Sequence, residues 1–503
     1  MSTPVIEAEV VARERLSSQA PAERILWLEV ENARLRARVH WLEGDKKRTD
    51  RIIEKLEARV GELLRSIEEL RRAAKRQAAP HSKNNPEPDP QRPGRKAGKA
   101  YGAKAYRPAP ERVDETVTVE LPRSCPRCGG KTGFERVEHQ WQQDLEVCVH
   151  SRRFEVEIGR CRRCHKRVQG RDPRQTSDAL GAASSQVGPR AVSLGALLNK
   201  QMGVPAAKIA ALFGYLGLSL TPGGVHHLLR RAARACEPTY QALVEGVRQS
   251  SVVAPDETGW RVGGAKAWLW AFVGDGVTVY QIAEGRGYAE AEKVLGAGFS
   301  GVLERDGWAS YRLFALASHQ TCLAHLLRRC RELVDDAVAG QARIPRQVAR
   351  VLKDALALRD ARAAGDIDAR LMVPALATLE ERTDKLLSGN PTHAPNIKLL
   401  NHLARERDAL FTFLTIPGVA ATNHRAEQAL RPAVVNRKAW GGNMTWAGAD
   451  TQQVLASVLR TSRQQGRDPV DILVPLLVSA TPAMADLAIP GRAPPDPARS
   501  RHA

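Results

Sequence analysis

The sequence has no apolar run that approaches the ~20 residues a helix needs to cross a bilayer. Its first residues, Met-Ser-Thr-Pro-Val-Ile-Glu, lack the basic-then-apolar pattern of a signal peptide. These absences argue against a membrane protein and a secreted one, so a cytoplasmic location without a membrane partner is predicted. The chain has 503 residues, of which 43% are apolar, and this predicts about three or four units with a packed core.

Acidic residues are few relative to basic ones, with 56 Asp and Glu against 76 Lys and Arg and a net charge of +20. A large positive excess favours polyanions, because phosphates neutralised by Lys and Arg release their condensed counterions. Nucleic acid is therefore the predicted partner. A generally basic proteome encoded by a GC-rich genome is the alternative explanation.

Cysteine is also scarce, and four of the eight cysteines form two Cys-x-x-Cys pairs. In a cytosolic protein such pairs indicate metal rather than disulfides, and four thiolates complete a tetrahedral zinc site. A four-sulfur site has no open position, so one structural Zn²⁺ is predicted, with free thiols as the alternative. The predicted ligands are Cys125, Cys128, Cys161 and Cys164, with Cys148 and His165 as weaker alternatives.

These cysteines define a predicted zinc-ribbon domain over residues 116–172, which we expect to bind DNA. Alternating residues in Gln140–Val149 and Arg153–Ile158 predict a hairpin that would bring the two cysteine pairs together. Gly129-Gly130 permits a tight turn after the first pair.

Residues 22–75 carry a heptad repeat kept in one register over seven heptads. β-Branched residues at position a with Leu at position d favour a parallel homodimer, and Asn32 would fix its register. The seam turns polar near Gly44–Thr49, which predicts a weak point or break. A single helix folded back on the body is the alternative to this dimerising coiled coil. The a positions are Ile25, Asn32, Val39, Lys46, Ile53, Val60 and Ile67, and the d positions are Leu28, Leu35, Leu42, Thr49, Leu56, Leu63 and Leu70.

Residues 76–115 are rich in Pro, Gly, Lys and Arg, cannot build a core, and are predicted to be a linker. Eight basic residues stand against three acidic ones in residues 81–112, so this linker also suits a basic arm that follows a DNA backbone or minor groove. The predicted DNA contacts are Arg95, Lys96 and Lys99. Residues 1–21 and 476–503 are predicted to be disordered.

Residues 188–240 have the pattern of helices joined by a Gly-containing turn. Thr221-Pro222 forms a cap and first-turn pair for a second, basic helix. The pattern is typical of a helix-turn-helix, in which Arg230 and Arg231 would contact DNA. Two packed helices with a basic exposed face are the alternative.

Residues 245–475 begin with a short β-branched run that ends in the carboxylates Asp256 and Glu257 and a turn, a pattern that presents an acidic metal ligand at a strand end. A hairpin around Gly274-Asp275-Gly276, a helix over Tyr288–Leu295 and a strand leading to Asp306 are predicted next. This order is that of the ribonuclease-H-like fold, whose first two acidic ligands would be Asp256 and Asp306. Glu257 would point to the other face of its strand and is the weaker candidate.

A third carboxylate is expected from a later helix packed against the sheet. The best candidate is Glu427, which lies between Asn423 and Arg431 at i, i+4 spacing on one helix face, and Pro432 is predicted to end that helix. A surface Glu427–Arg431 pair and Glu406 as the third ligand are the alternatives left open. Helical patterns over about residues 330–415 predict an insertion between the second and third acids, whose role could be target contact, dimer contact or bracing.

These pieces together resemble a bacterial transposase of the insertion-sequence-66 family, with an Asp-Asp-Glu core, over roughly residues 22–475. The long helix, basic segment, zinc ribbon and helix-turn-helix match in order. The motifs that carry the resemblance in the core are Pro-Asp256-Glu-Thr-Gly-Trp, Arg-Asp306-Gly-Trp-Ala-Ser-Tyr, Cys322-Leu-Ala-His325, Asn423-His-Arg-Ala-Glu427-Gln-Ala-Leu-Arg-Pro and Arg437-Lys438-Ala-Trp440.

The resemblance implies metal-dependent cleavage and strand transfer on double-stranded DNA, at the terminal inverted repeats and a target. Asp256, Asp306 and Glu427 would hold two Mg²⁺ about 3.5–4 Å apart, since hard cations prefer oxygen ligands. It also implies a nucleoid location, DNA contacts from Arg437 and Lys438, and companion proteins encoded by the same element. A domesticated DNA-binding protein with an inactive core and a nuclease that cuts without joining are the competing functions.

Auxiliary roles are expected near the acids. Cys322 and His325 suit hydrogen bonding or packing, with zinc binding alongside His319 or Cys330 as the alternative. Asn423 and Arg431 are also auxiliary candidates. Trp440 and Trp446 would stack on a displaced base or pack in the core.

Overall fold

The computed structural model describes residues 21–75, 110–120, 122–124, 126–142, 148–176, 186–338 and 340–493. The chain divides into two units, residues 1–143 and 144–503. The predicted arm residues Arg95, Lys96 and Lys99, zinc ligand Cys125 and residues 494–503 lie outside the described residues. None of the helices in the described ranges combines the length and the apolar character that membrane crossing requires.

The first unit contains one long helix, α1 (Pro21–Lys75). It runs without interruption through the polar part of the seam, so the predicted break near Gly44–Thr49 is wrong. Since Lys, Asp and Thr continue a helix at modest cost, a polar seam weakens an interface without ending the helix. The apolar a and d side chains that the structure describes are about half exposed, as for Leu28 (52%) and Val39 (54%), so the described residues cover them only in part.

The second cysteine pair lies beside a short antiparallel ladder of β1 (Ile158–Arg160) and β2 (Arg167–Gln169). The predicted strand Arg153–Ile158 is wrong, because residues 153–157 form no strand and pairing starts only at Ile158. In this run Phe154 and Val156 alternate with charged residues but are only partly buried, so alternation alone does not order it as a strand.

Three helices lead into the sheet of the second unit. Thr221 caps the third, since its Oγ1 accepts a 3.0 Å hydrogen bond from the Gly224 N–H and Pro222 occupies the first turn, as predicted. This helix is much longer than the predicted recognition helix, because its second half packs on the sheet through residues such as Leu243. The three are α2 (Pro189–Lys200), α3 (Ala206–Tyr215) and α4 (Pro222–Arg248).

A five-stranded mixed sheet forms the centre of the second unit, in the order β5-β4-β3-β6-β7. The first three strands are antiparallel, whereas β6 and β7 run parallel to β3. The predicted α+β core is confirmed, including the hairpin and the helix α5 (Tyr288–Leu295). The strands are β3 (Val252–Val262), β4 (Ala265–Val273), β5 (Thr278–Ala283), β6 (Val302–Arg305) and β7 (Ser318–Thr321).

Helices α6 (Leu323–Asp335), α7 (Arg343–Ala364), α8 (Ala369–Leu387), α9 (Ala394–Arg405) and α10 (Thr412–Thr415) follow the sheet. They share an apolar core of their own, in which Leu352 and Leu399 are buried. The segment predicted as a helical insertion is therefore helical. Its packing starts earlier than predicted, with Leu323 and Leu326 of α6.

Helix α11 (His424–Trp440) covers one sheet face through Ala426, Ala429, Leu430 and Ala433. It continues through Pro432, so the prediction that Pro432 ends it is wrong. An interior proline costs about 3 kcal/mol. The burial of small and apolar residues on both sides of it offsets that cost.

Helix α12 (Trp446–Gln464) lies along the free edge of β5. Three side chains spaced four residues apart, Gln453, Ser457 and Thr461, accept hydrogen bonds from the backbone N–H groups of Ile282, Tyr280 and Thr278. Edge strands leave such donors unpaired, and here a helix satisfies them.

Residues 476–493 are ordered, contrary to the predicted disorder of residues 476–503, of which 494–503 lie outside the described residues. Helix α13 (Pro469–Val478) is followed by a segment in which Leu487 and Ile489 are buried in the main core. An Arg467–Asp486 ion pair of 2.8 Å and a hydrogen bond from Ala485 N–H to Thr239 Oγ1 fix it. A few apolar residues suffice to anchor a Pro-rich segment.

Candidate active site

Asp256 lies in the middle of β3, opposite Ala271 of β4. The strand continues to Val262 instead of ending at the carboxylates, so the predicted turn after Asp256 is wrong. The extended residues after Glu257 pair with β4 up to the Gly263-Gly264 turn. Asp256 Oδ1 accepts a hydrogen bond of 2.9 Å from the Glu257 N–H, which fixes the carboxylate beside its own strand.

Asp306 directly follows β6. Strand β6 runs parallel to β3, with Val302 and Leu303 opposite Val252 and Val253. Continuing this register past the end of β6 places Asp306 next to Asp256. Its Oδ1 accepts a 2.9 Å hydrogen bond from the Trp308 N–H, so the turn after the strand orients the carboxylate.

Glu427 occupies the first turn of α11 and its side chain is 52% exposed. Its Oε1 lies 3.7 Å from His325 Nε2 at the beginning of α6. Because the buried alanine and leucine face of α11 rests on β3 and β4, the opening turn of the helix comes close to Asp256.

The three predicted acids act on one another electrostatically. Burial raises the pKa of Asp256 to about 7, and the charges of Glu257, Asp306 and Glu427 add to the effect. A hydrogen bond from the Glu257 backbone opposes them, and among the described residues no cationic side chain forms an ion pair with Asp256. Closely spaced carboxylates suit a divalent cation, which takes oxygen ligands.

Asp256, Asp306 and Glu427 lie in one region, but their carboxylates do not point at a common metal position. Within the described ranges, no set of three or more His, Cys, Asp or Glu side chains has the arrangement of a metal centre. The donor chemistry therefore fits a divalent cation at Asp256, Asp306 and Glu427, and the side chains would have to draw together to bind it.

Glu257 lies on the other face of β3 and its side chain is fully buried. Its two oxygens accept hydrogen bonds from Arg286 Nε (2.6 Å) and the Tyr311 hydroxyl. The Arg286 guanidinium stacks 3.9 Å from the centre of the Trp308 ring, beside Asp306. Glu257 is thus already paired, and it supports the turn that orients Asp306.

Comparison of the sequence with known protein families identifies the family of this chain. The sequence profile described as the Transposase IS66 family matches residues 184–451, a range that contains Asp256, Asp306 and Glu427. This chain belongs to the IS66 transposase family.

Two proteins of Sinorhizobium fredii (strain NBRC 101917 / NGR234) are similar to this IS66 transposase. Uncharacterized protein y4qI is 25% identical over 402 residues, which cover 72% of this chain and 71% of y4qI. Uncharacterized protein y4hP is 24% identical over 466 residues, which cover 84% of this chain and 80% of y4hP. Both alignments are longer than the profile match, so the likeness extends beyond the core.

Glu406, the alternative third acid, is buried in a charge cluster of the transposase. Its oxygens lie 2.6 Å from Arg305 Nη1 and 2.9 Å from Arg312 Nη1, and its side chain is fully buried. A carboxylate held by two guanidiniums has little capacity for a metal ion, which favours Glu427 over Glu406.

Asn423 ties three elements of the candidate site together, a role that spacing alone does not reveal. Its side-chain Nδ2 donates 2.9 Å to the Pro255 carbonyl beside Asp256, and its backbone N–H donates to Cys322 Sγ at 3.3 Å. Burial alone would raise the pKa of Cys322, but the neighbouring His325 and the hydrogen bond from the Asn423 N–H lower it. The neighbouring Cys322 in turn raises the pKa of His325.

Cys322 accepts a hydrogen bond from the Asn423 N–H, and His325 lies 3.7 Å from Glu427. The proposed zinc partners are engaged elsewhere: His319 contacts Arg305 Nε at 3.2 Å, and Cys330 is buried in the helical core. Cys322 and His325 therefore link α6 to the start of α11.

The predicted DNA-contact residues are distributed over several elements. Arg230 is exposed, as is the auxiliary candidate Arg431, while Arg231 is half-buried and donates 2.9 Å to the Val187 carbonyl. Arg437 and Lys438 lie in the last turn of α11, and Lys438 is exposed.

The second cysteine pair lies in a tight turn, in which the His165 N–H donates a 2.9 Å hydrogen bond to the Cys161 carbonyl. Backbone N–H groups of Cys164 and Arg163 lower the pKa of Cys161, which favours the thiolate form that binds zinc. Gly129, after the first pair, has a φ of +75°, as the predicted tight turn requires. The two pairs belong to different units, so the four-thiolate site stays a prediction.

The raised pKa of Asp256 predicts a pH dependence of stability in magnesium-free buffer. The pKa is about 7 in the folded protein against 3.8 for an ordinary Asp. The protonated form stabilises the fold below pH 4, and that stability is lost as the pH rises through about 7. The unfolding free energy of wild type relative to Asp256→Asn should therefore fall by a few kcal/mol between pH 4 and 8. Thermal melts of both proteins check this, and a pH-independent difference would contradict it.

Proposed function

We propose that this protein is a DNA transposase that binds the terminal inverted repeats of its element and catalyses metal-dependent strand cleavage and strand transfer. The observation that carries the proposal is that the charges of Asp306 and Glu427 act on the largely buried Asp256, which has no ion pair among the described residues, within the family-matched region. The strand order, with β3 next to parallel β6, supports a ribonuclease-H-like core.

Asp256, Asp306 and Glu427 would hold two Mg²⁺, which when bound supply activation of the attacking hydroxyl and neutralisation of the leaving oxygen. The chain's own residues prepare that site. The Trp308 N–H orients Asp306, while Asn423 holds the start of α11 against Pro255. His325 faces Glu427 and restrains its side chain.

DNA binding is proposed for the positively charged parts of the chain, since the net charge of +20 favours phosphates. The arm with Arg95, Lys96 and Lys99, a zinc ribbon on one structural Zn²⁺, and a helix-turn-helix in α3 and α4 would each contribute. Arg230, Arg437 and Lys438 are the proposed contacts in the second unit.

A homodimer through α1 is the proposed assembly. The exposed a and d side chains, such as Leu35 (56%) and Val60 (54%), would be buried by a second copy. Two subunits would pair the two ends of an element. Companion proteins of the same element could take part as well.

The test is incubation of the protein and Mg²⁺ with DNA that carries the repeats flanking its gene. End-specific nicks followed by joined products are expected, and DNA with scrambled ends is the matched control. Specific binding without nicking would instead indicate a domesticated DNA-binding protein. Nicking without joining would indicate a nuclease.

A further inference from the structure

A small pocket lies away from the acids, between the end of α2 and helices α11 and α12, on the sheet face that carries Asp256. Its volume is about 50 Å³, several times the roughly 10–15 Å³ that one water needs. Tyr280, in the pocket wall, pairs with Ala271 of β4, which in turn pairs with Asp256 of β3. Tyr280 and Asp256 are therefore two strand spacings, or about 10 Å, apart. The lining residues that matter here are Lys200, Gln201, Tyr280, Gln452, Arg460 and Arg463.

Lys200 is the unusual member of this lining. It is only 7% exposed, and its Nζ lies 5.3 Å from the centre of the Trp440 ring. Burial lowers the pKa of Lys200 to about 7, and no carboxylate counteracts the effect. A buried ammonium without an acidic partner is costly, so such groups are normally paired.

The rest of the wall is also positive or polar. Arg460 Nε is buried without a hydrogen-bond partner among the described residues, and Arg463 Nη1 contacts Gln201 Oε1 at 3.3 Å. Gln452 Oε1 is likewise unpartnered, and a half-turn of its amide would present the NH₂ group instead. The lining contains three cationic side chains and no Asp or Glu.

We propose that this pocket binds a phosphate group through Lys200, Arg460 and Arg463. One phosphate would supply the missing counter-charge of Lys200 and an acceptor for Arg460 Nε. A phosphate of the DNA strand is one source, and that assignment rests on the proposed function. Free phosphate is the other source with the same chemistry.

The first experiment measures thermal unfolding of the full-length protein in inorganic phosphate and in chloride of equal ionic strength. Phosphate should raise the melting temperature of wild type by about 2 °C or more. Lys200→Met and Arg463→Gln should lose most of that rise, whereas Arg350→Gln, exposed on α7, should keep it. Without phosphate, Lys200→Met should melt no lower than wild type, because an unpaired buried charge is removed.

The second experiment measures duplex DNA binding by anisotropy against salt concentration, without Mg²⁺. For a DNA phosphate, Lys200→Met and Arg463→Gln should weaken binding to all sequences and reduce the log–log salt slope by about 1. If the variants lose the phosphate-induced rise in melting temperature but keep the salt slope of DNA binding, the pocket binds free phosphate. The proposal is overturned if neither the phosphate-induced rise nor the slope depends on Lys200. Because no cleavage is measured, a failure here is distinct from a failure of the proposed function.

Discussion

Asp256→Asn should abolish DNA cleavage while DNA binding is retained. The substitution removes the negative charge of a ligand carboxylate whose environment already raises its pKa to about 7. Metal ions supply several kcal/mol of charge stabilisation in such reactions, so a loss of roughly 10³-fold or more in cleavage rate is expected. Cleavage of end-bearing DNA in Mg²⁺ and DNA affinity without Mg²⁺ are the two measurements.

The same variant should be at least as stable as wild type in magnesium-free buffer at pH 8, since a repelled, desolvated charge is gone. Added Mg²⁺ should raise the melting temperature of wild type and have little effect on Asp256→Asn. Asp360→Asn, at an exposed position of α7, is the matched control and should cleave normally. Wild-type cleavage by Asp256→Asn would contradict the assigned role.

Glu406→Gln should destabilise the protein by about 3–5 kcal/mol, because it leaves Arg305 buried without a counter-charge. Arg305 is 2% exposed and Glu406 fully buried, with their atoms 2.6 Å apart. Chemical denaturation of the purified variant measures the loss. This effect should be the same with and without Mg²⁺.

Two controls separate this structural role from metal binding. Glu380→Gln removes an exposed partner of Arg407 and should change stability by less than about 1 kcal/mol. Glu427→Gln, at a half-exposed position, should keep its stability but lose the Mg²⁺-induced rise in melting temperature. A stable Glu406→Gln variant that no longer responds to Mg²⁺ would instead make Glu406 the third ligand.

The central hairpin, α5 and the strand before Asp306 follow from local pattern. Alternating apolar residues around Gly274-Asp275-Gly276 and the helical spacing of Tyr288–Leu295 are short-range signals, and the structure agrees with them. The short strand β7 (Ser318–Thr321) is different. Its polar sequence carries no strand signal, and parallel pairing with β6 forms it.

Three of the wrong predictions share one cause, which is that tertiary packing outweighed a local signal. Pro432 stays inside α11 because Leu430 and Ala433 pack on the sheet. Residues 476–493 are ordered because Leu487 and Ile489 enter the main core. The turn expected after Asp256 yields to continued pairing with β4.

The acids of the candidate site could be predicted from sequence motifs and strand order. The residues that hold them in place could not. Arg286 and Tyr311, which hold Glu257, lie 29 and 54 residues away from it in sequence. Asn423 reaches Pro255 across 168 residues. Lys200 stands in an ordinary amphipathic helix, and only the fold reveals that it is buried without an acidic partner.

The most direct test of the central claim is the metal dependence of cleavage by Asp306→Cys. A thiolate is a softer ligand than a carboxylate, so it binds Mg²⁺ poorly and accepts Mn²⁺ better. If Asp306 holds a catalytic metal, the variant should lose cleavage in Mg²⁺ by roughly 10²-fold or more and regain at least about tenfold in Mn²⁺. Asp360→Cys is the matched control and should cleave like wild type in both metals. Asp306→Cys that cleaves as well as wild type in Mg²⁺ would contradict the account.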